Sequence, residues 1–217
     1  LALFSGGLDS ILAVKVIEKQ GLNVLGLHFV SPFFGHPDKI EHWEKIYGLD
    51  LQLVDLSDEF IAMLLTPPQY GFGKLLNPCI DCKLFFIKRA AVLMNELNAD
   101  FVATGEVVGQ RPMSQQKYMM LHIEKTCGLK GRLLRPLSAK ILEPTIPEIE
   151  GKIDRNRLLD ISGRGRKRQM ELAAHYGITN YSHPAGGCLF TDRYFSLRMK
   201  DLFTHEHEVT ATDIYLL

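Results

Sequence analysis

Apolar positions over the first half of the chain follow two alternating rhythms. Short continuous runs at 1–4, 24–30, 51–55 and 101–104 have the length and composition of buried strands. Between them, apolar residues return every three or four positions, the period of a helix with one covered side. The first such stretch predicts a helix over 9–20, with Ile11, Leu12, Val14 and Ile17 inward and Gly21 as its stop. A second covers 38–47, placing Ile40, Trp43, Ile46 and Tyr47 on one face. Ser57 offers a cap for a short third helix, and a long fourth spans 82–98. Weaker signals place a helix over 114–126, a strand over 133–135 and a helix over 169–176, whereas 144–160 shows no clear rhythm. Strands alternating with helices predict an α/β fold, an open parallel sheet flanked by helices on both faces.

Composition alters this picture little. An apolar share of 46% with 23% charged residues is that of an ordinary globular chain, long enough at 217 residues for one large or two small domains. No apolar run approaches the length of a membrane span and no secretory leader opens the chain, so a cytoplasmic setting without membrane contact is expected. The first residues already read as a strand without a starting Met, so trimming at the N-terminus, and at Leu217 as well, is expected. Net charge is zero but uneven: residues 1–108 hold 13 Asp/Glu against 8 Lys/Arg, and residues 109–217 hold 12 against 17. A polyanionic partner is therefore expected on the second half. The stretch 66–78, with three prolines and two glycines, is too long for an ordinary connector and predicts a functional loop.

The strongest local signal is Ser5-Gly6-Gly7-Leu8-Asp9-Ser10, set between the first strand and the first helix. Glycines let the backbone approach phosphate oxygens, and the following helix offers unpaired N–H groups and a positive dipole end. Ser5 and Ser10 add hydroxyls, and Asp9, which phosphate would repel, is suited to holding Mg²⁺ or orienting the loop. A plain glycine turn capped by Asp9 or Ser10 is the simpler alternative, but six consecutive residues in strand–loop–helix context favour a phosphate cradle.

This loop resembles the signature of the PP-loop ATP pyrophosphatases, whose fold is adenine nucleotide alpha-hydrolase-like, a Rossmann-like arrangement. The resemblance implies that Ser5, Gly6, Gly7, Asp9 and Ser10 bind ATP, with adenine against His28 and Phe29 at the end of the second strand. The family's Ala-Thr-Gly-His element resembles Ala103-Thr104-Gly105-Glu106, which assigns Gly105 to the ATP site and puts Glu where His is usual. It also implies a division into an ATP-binding domain over 1–160 and a smaller basic C-terminal segment over 161–217.

The cysteines select among the chemistries of that superfamily. A Cys-x-x-Cys pair in a chain without secretory features points to redox or metal chemistry. Asn77-Pro78-Cys79-Ile80-Asp81-Cys82 resembles an element of the tRNA 2-thiouridylases, which places Cys82 at their catalytic cysteine. Cys188, within Ala185-Gly186-Gly187-Cys188-Leu189-Phe190-Thr191-Asp192, supplies the remote third thiol that such enzymes use, so Asp9, Cys82 and Cys188 are the expected catalytic residues. Cys79, Cys82 and Cys188 also match thiolases that hold a [4Fe-4S] cluster on three cysteines. Three arrangements stand open: a Cys82 persulfide resolved by Cys188, a cluster on the three thiols, and a zinc ion completed by His183. Cys127 is expected to be a buried packing residue.

Arg164, Arg166, Lys167 and Arg168 form the densest basic run, suited to RNA phosphates, although such runs are often simply solvated. His122 and His175 are expected to be structural, and His205-Glu206-His207 an exposed segment. The expected function is an ATP-dependent tRNA thiolation enzyme using Mg²⁺ and receiving sulfur from a donor protein or sulfide, with a homodimer compatible. A PP-loop sulfur transferase or amide ligase acting on a small molecule, and a zinc-stabilised nucleotide-binding module without catalysis, are the alternatives.

Overall fold

The computed structural model describes residues 1–181, 188–206 and 208–217. Strand β1 (Ala2–Leu3) leads through the glycine loop into helix α1 (Leu8–Glu18). Strand β2 (Leu25–Val30), helix α2 (Ile40–Tyr47) and strand β3 (Asp50–Asp55) follow, then helices α3 (Ser57–Leu65) and α4 (Cys79–Glu96). Strand β4 (Val102–Ala103), helix α5 (Lys117–Thr126) and strand β5 (Leu133–Leu134) complete the sheet. The chain continues through short α6 (Ile146–Ile149), α7 (Lys167–His175), α8 (Arg193–His205) and α9 (Ala211–Tyr215).

The strands order as β3-β2-β1-β4-β5 and all pair in parallel, with Ala2 opposite both Gly26 and Ala103. The expected open parallel sheet is therefore present. Its direction of winding reverses between β1 and β4, and parallel sheets bind ligands in the crevice beyond the carboxyl ends of such a pair. The glycine loop after β1 and the segment after β4 flank that point.

Alternation along β1 divides the core. Ala2 and Phe4 face a cluster built from Leu8, Ile11, Leu12 and Ile17 of α1, Trp43 and Tyr47 of α2 and Ala173 of α7. Leu1 and Leu3 face the other side, where Leu84, Ile87 and Leu93 of α4 pack with Ile123 of α5. A third cluster is largely aromatic: Phe33 and Phe60 meet Phe190, Phe195 and Met199, with Cys82, Phe85 and Phe86 at its margin. Residues of the 161–217 segment thus enter two of these three cores.

Several boundaries move with physical cause. Helix α4 starts one turn before the predicted 82, because Asp81 in its first turn accepts the N–H groups of Gln69 and Tyr70 and anchors the preceding loop. Ser57 does not cap α3; it is the first helical residue, and Asp55 Oδ1 accepts both its N–H and its hydroxyl. Ile46, predicted inward, is 40% exposed, while Trp43 and Tyr47 alone of α2 are buried. Residues 144–160, without periodicity, hold α6, started by a reciprocal Thr145–Glu148 capping box.

Candidate functional site

The glycine loop is shaped by its own short-range hydrogen bonds. Ser10 Oγ donates to the Gly7 carbonyl at 2.8 Å and accepts the Ser5 N–H at 3.2 Å, so this hydroxyl closes the loop. The exposed Ser5 hydroxyl donates to Ser10 Oγ at 3.3 Å. Gly6 is required twice over: its φ is +73°, and a Cβ there would sit 2.2 Å from the Trp43 indole. Gly105 lies against the first turn of α1, where a Cβ would come within 2.6 Å of the Asp9 carbonyl and the Ser10 nitrogen. The segments after the first and fourth strands therefore converge on the same helix end, which presents its free N–H groups to the crevice.

Asp9 Oδ2 accepts from Gln110 Nε2 at 2.7 Å, whereas its Oδ1 is buried without a hydrogen-bond partner among the described residues. His28 is buried with both ring nitrogens engaged: Nδ1 donates to the Phe4 carbonyl at 2.9 Å, and Nε2 accepts the His36 N–H at 2.9 Å. Burial holds its pKa below the usual histidine range, with the Phe4 carbonyl opposing and His36 adding to the effect. A second proton would also face the His36 N–H. The structure gives the His28 ring a supporting role under the loop and leaves no ring nitrogen for adenine; Phe29, half-buried, stacks on Phe86.

Across the crevice, Cys79 and Cys82 occupy the first turn of α4, three residues apart and so on one helical face. The Cys79 thiol donates to Ser114 Oγ at 3.6 Å. Cys188 precedes the 3-10 turn Leu189–Thr191, which the Phe190 ring fixes in the aromatic cluster. This docking brings the remote third cysteine beside the pair. Burial pushes the Cys82 thiol far up, and the neighbouring Cys188 and Cys79 sulfurs push it further, with Lys83 opposing. The Cys188 thiol is raised as well, by burial first, against the Phe190 N–H, with Cys79 adding. The three predicted cysteines are thus brought together, although no three His, Cys, Asp or Glu side chains among the described residues already form a metal-ligand set. His183, Ala185, Gly186, Gly187 and His207 lie outside the described residues. Cys127 is buried, as expected, its thiol raised to about 11, chiefly by burial.

Glu106 joins the two sides. It is 4% exposed, with Lys83 Nζ 3.4 Å from Oε1 and Arg135 Nε 3.4 Å from Oε2. Burial alone would raise its carboxyl, but Lys83 and Arg135 outweigh that and hold it low. Arg135 in turn donates to Glu124 at 2.6 Å and to the Met120 carbonyl at 3.0 Å. The position that differs from the family's usual His therefore anchors the lysine beside Cys82. Sequence reasoning missed Lys83, Gln110, Trp43 and Gln169, and only the adjacency of Lys83 to Cys82 could have flagged one of them.

The basic run lies at the start of α7. Arg164 and Lys167 are exposed, Arg168 pairs with Asp160 at 2.5 Å, and Arg166 is half-buried with its Nε unpartnered among the described residues. α7 packs on α1, and Gln169 within it reaches Gln110, so the basic run is tied to the glycine-loop side. No helix among the described residues is long and apolar enough to cross a membrane. His122 accepts or donates a 2.6 Å hydrogen bond with the Tyr70 hydroxyl, which pins the 66–78 loop to α5.

The chain also resembles known proteins. The chain is 32% identical over 117 residues to a tRNA-specific 2-thiouridylase MnmA of Syntrophotalea carbinolica, covering 48% of this chain and 33% of that protein. It is 35% identical over 121 residues to the same enzyme of Nitratidesulfovibrio vulgaris, covering 49% and 34%. The chain spans about a third of the length of these relatives. A solved structure, the U34-tRNA thiolase NcsA from Methanococcus maripaludis with its [4Fe-4S] cluster, is similar at a TM-score of 0.45 and 14% identity, covering 99% of this chain and 69% of that one. The family model for thiamine biosynthesis protein (ThiI) matches residues 1–140, and the chain belongs to that family.

Proposed function

We propose that this chain carries the activating and sulfur-handling centre of an ATP-dependent tRNA thiolation enzyme. The observation that supports it most is that Glu106, next to the Gly105 that packs on the end of the glycine loop, pairs with Lys83 beside Cys82, so the loop and the thiol-bearing helix share one ion pair. Residues 1–160 bind ATP. Their loop N–H groups and the Ser5 hydroxyl hold the phosphates, and the α1 dipole favours the charge that builds as pyrophosphate leaves. The nucleobase carbonyl oxygen attacks the α-phosphate, pyrophosphate departs, and sulfur then displaces AMP. The unpartnered buried Oδ1 of Asp9 fits a Mg²⁺ ion accompanying the triphosphate, since that ion takes hard oxygen ligands.

The thiol set fits a shared cationic group. Three soft sulfur donors gain most from a bound cation that neutralises their thiolates together, and burial with neighbouring sulfur resists ionisation at Cys82 and Cys188. Cys79, Cys82 and Cys188 would hold a [4Fe-4S] cluster, which supplies an iron open to hydrosulfide. Residues 161–217 contribute the third thiol, and Arg164, Arg166 and Lys167 meet RNA phosphates. Both relatives are tRNA-specific 2-thiouridylases, which supports this reading. Two measurements test it. Pyrophosphate release from ATP should require bulk tRNA, and none with any RNA would remove the tRNA substrate. Anaerobically purified protein should carry iron that a Cys188→Ala variant loses; a colourless, iron-free protein with a persulfide on Cys82 would replace the cluster by the persulfide route.

A further inference from the structure

Gln169 is wholly buried at 0% exposure in α7, a helix whose role on the α1 face would be met by an apolar side chain. Its Nε2 donates to Gln110 Oε1 at 3.3 Å, and Gln110 Nε2 donates to Asp9 Oδ2 at 2.7 Å. The polarity of this relay is fixed from the Asp9 end. An ionised carboxylate only accepts, so Gln110 must present its amide nitrogen there and turn its oxygen towards Gln169. Gln169 must then present its nitrogen, which leaves its own Oε1 unpartnered among the described residues. Burying an amide with one end unsatisfied is costly. The Gln110 backbone is held as well: its N–H donates to the Val107 carbonyl at 3.1 Å, and Gly109 N–H to the Gln115 carbonyl at 2.7 Å. Val108 bridges to Ser162, which fixes the segment to the strand-like stretch before α7.

We propose that Gln110 and Gln169 are positioning residues that hold one oxygen of Asp9 so that the other, Oδ1, stands free to take a divalent cation bound with the nucleotide. This rests on the nucleotide reading of the loop. Gln110 acts on Asp9 directly, and Gln169 acts only through Gln110 by fixing which way its amide faces. The relay also ties Asp9 to the helix that begins in the basic run.

The single Trp of the chain, Trp43, lies against Gly6, so its fluorescence should change when nucleotide enters the loop. ATP would be titrated into the full chain with and without Mg²⁺, so the readout needs no RNA and no turnover. Wild-type protein should bind ATP more tightly with Mg²⁺. Gln110→Met, close in volume, should leave Mg²⁺-free binding unchanged and cut the Mg²⁺ enhancement about tenfold, the scale of a hydrogen bond to a charged group. Gln169→Met should cut it about threefold, and the double variant no further than Gln110→Met alone, because the two act in series. A purely structural role would lower thermal stability without moving the Mg²⁺ enhancement. If Asp9→Asn keeps the full enhancement, the nucleotide reading of Asp9 fails. If Asp9→Asn loses it while both Met variants keep it, the relay alone is overturned.

Discussion

The two sides of the crevice are made differently. The phosphate side is built from six consecutive residues closed by Ser5–Ser10–Gly7 hydrogen bonds, with a rigid indole beneath and the Gly105 backbone alongside. The thiol side is assembled from residues more than a hundred positions apart: burial and the neighbouring Cys188 and Cys79 sulfurs raise the Cys82 thiol, and Lys83 counters them. One side is closed by its own hydrogen bonds, whereas the other holds thiols that, at Cys82 and Cys188, ionise less readily than a free cysteine. The contrast agrees with the proposed two-stage reaction, in which activation uses a preorganised cradle and sulfur delivery uses separate thiols.

The sharpest way to break the comparison is to separate the stages. Cys82→Ser should abolish sulfur transfer while pyrophosphate formation stays within about threefold, because Cys82 touches none of the loop hydrogen bonds. Joint loss of both would mean that the two sides are one device. Asp9→Asn should lower pyrophosphate release by about 10²–10³ and leave cysteine alkylation rates unaltered, as expected for a preorganised charge.

Next comes the bridge between the sides. Arg135→Met leaves Glu106 and Glu124 buried without their common cation, and breaking such a pairing costs about 3–5 kcal/mol. Urea unfolding should show that loss; a change below about 1 kcal/mol would mean that Lys83 alone compensates Glu106. Smaller in effect is a thiol control. With its thiol near 11, Cys127 should have a thiolate fraction of about 10⁻³ at pH 8 and escape alkylation under conditions that label exposed Cys188. Mass spectrometry of timed iodoacetamide reactions reads this directly.

The smallest effect concerns His28. Its folded pKa lies below the ordinary value of about 6.5, so as pH falls the unfolded chain takes up the proton first. Its contribution should be flat above about pH 6.5 and be lost from there down through the folded value. A His28→Asn variant should show a shallower fall in urea midpoint across that window; an identical slope would assign the pH dependence elsewhere.

Much of the architecture was legible because local pattern carried it. The apolar runs at 1–4, 24–30 and 51–55 marked strands since parallel strands are covered on both faces. The loop was legible because its geometry depends on neighbours within six residues. Boundaries set by distant partners were not. α4 gained a turn through Asp81 and its loop amides, and α3 is started by Asp55 rather than Ser57. Ile46 sat on the predicted inward face, yet α2 covers the core with Trp43 and Tyr47 only.

The sequence by itself determined the alternation of strands and helices, the phosphate loop and the identity of the three thiols. All of these follow from residue type and short spacing. Tertiary structure decided what faces what: that Glu106 neutralises Lys83 and Arg135, that His28 is spent on Phe4 and His36, and that Gln110 and Gln169 reach Asp9. Those contacts join residues 8 to 101 positions apart, with side chains oriented by packing, and no periodicity along one chain records such meetings.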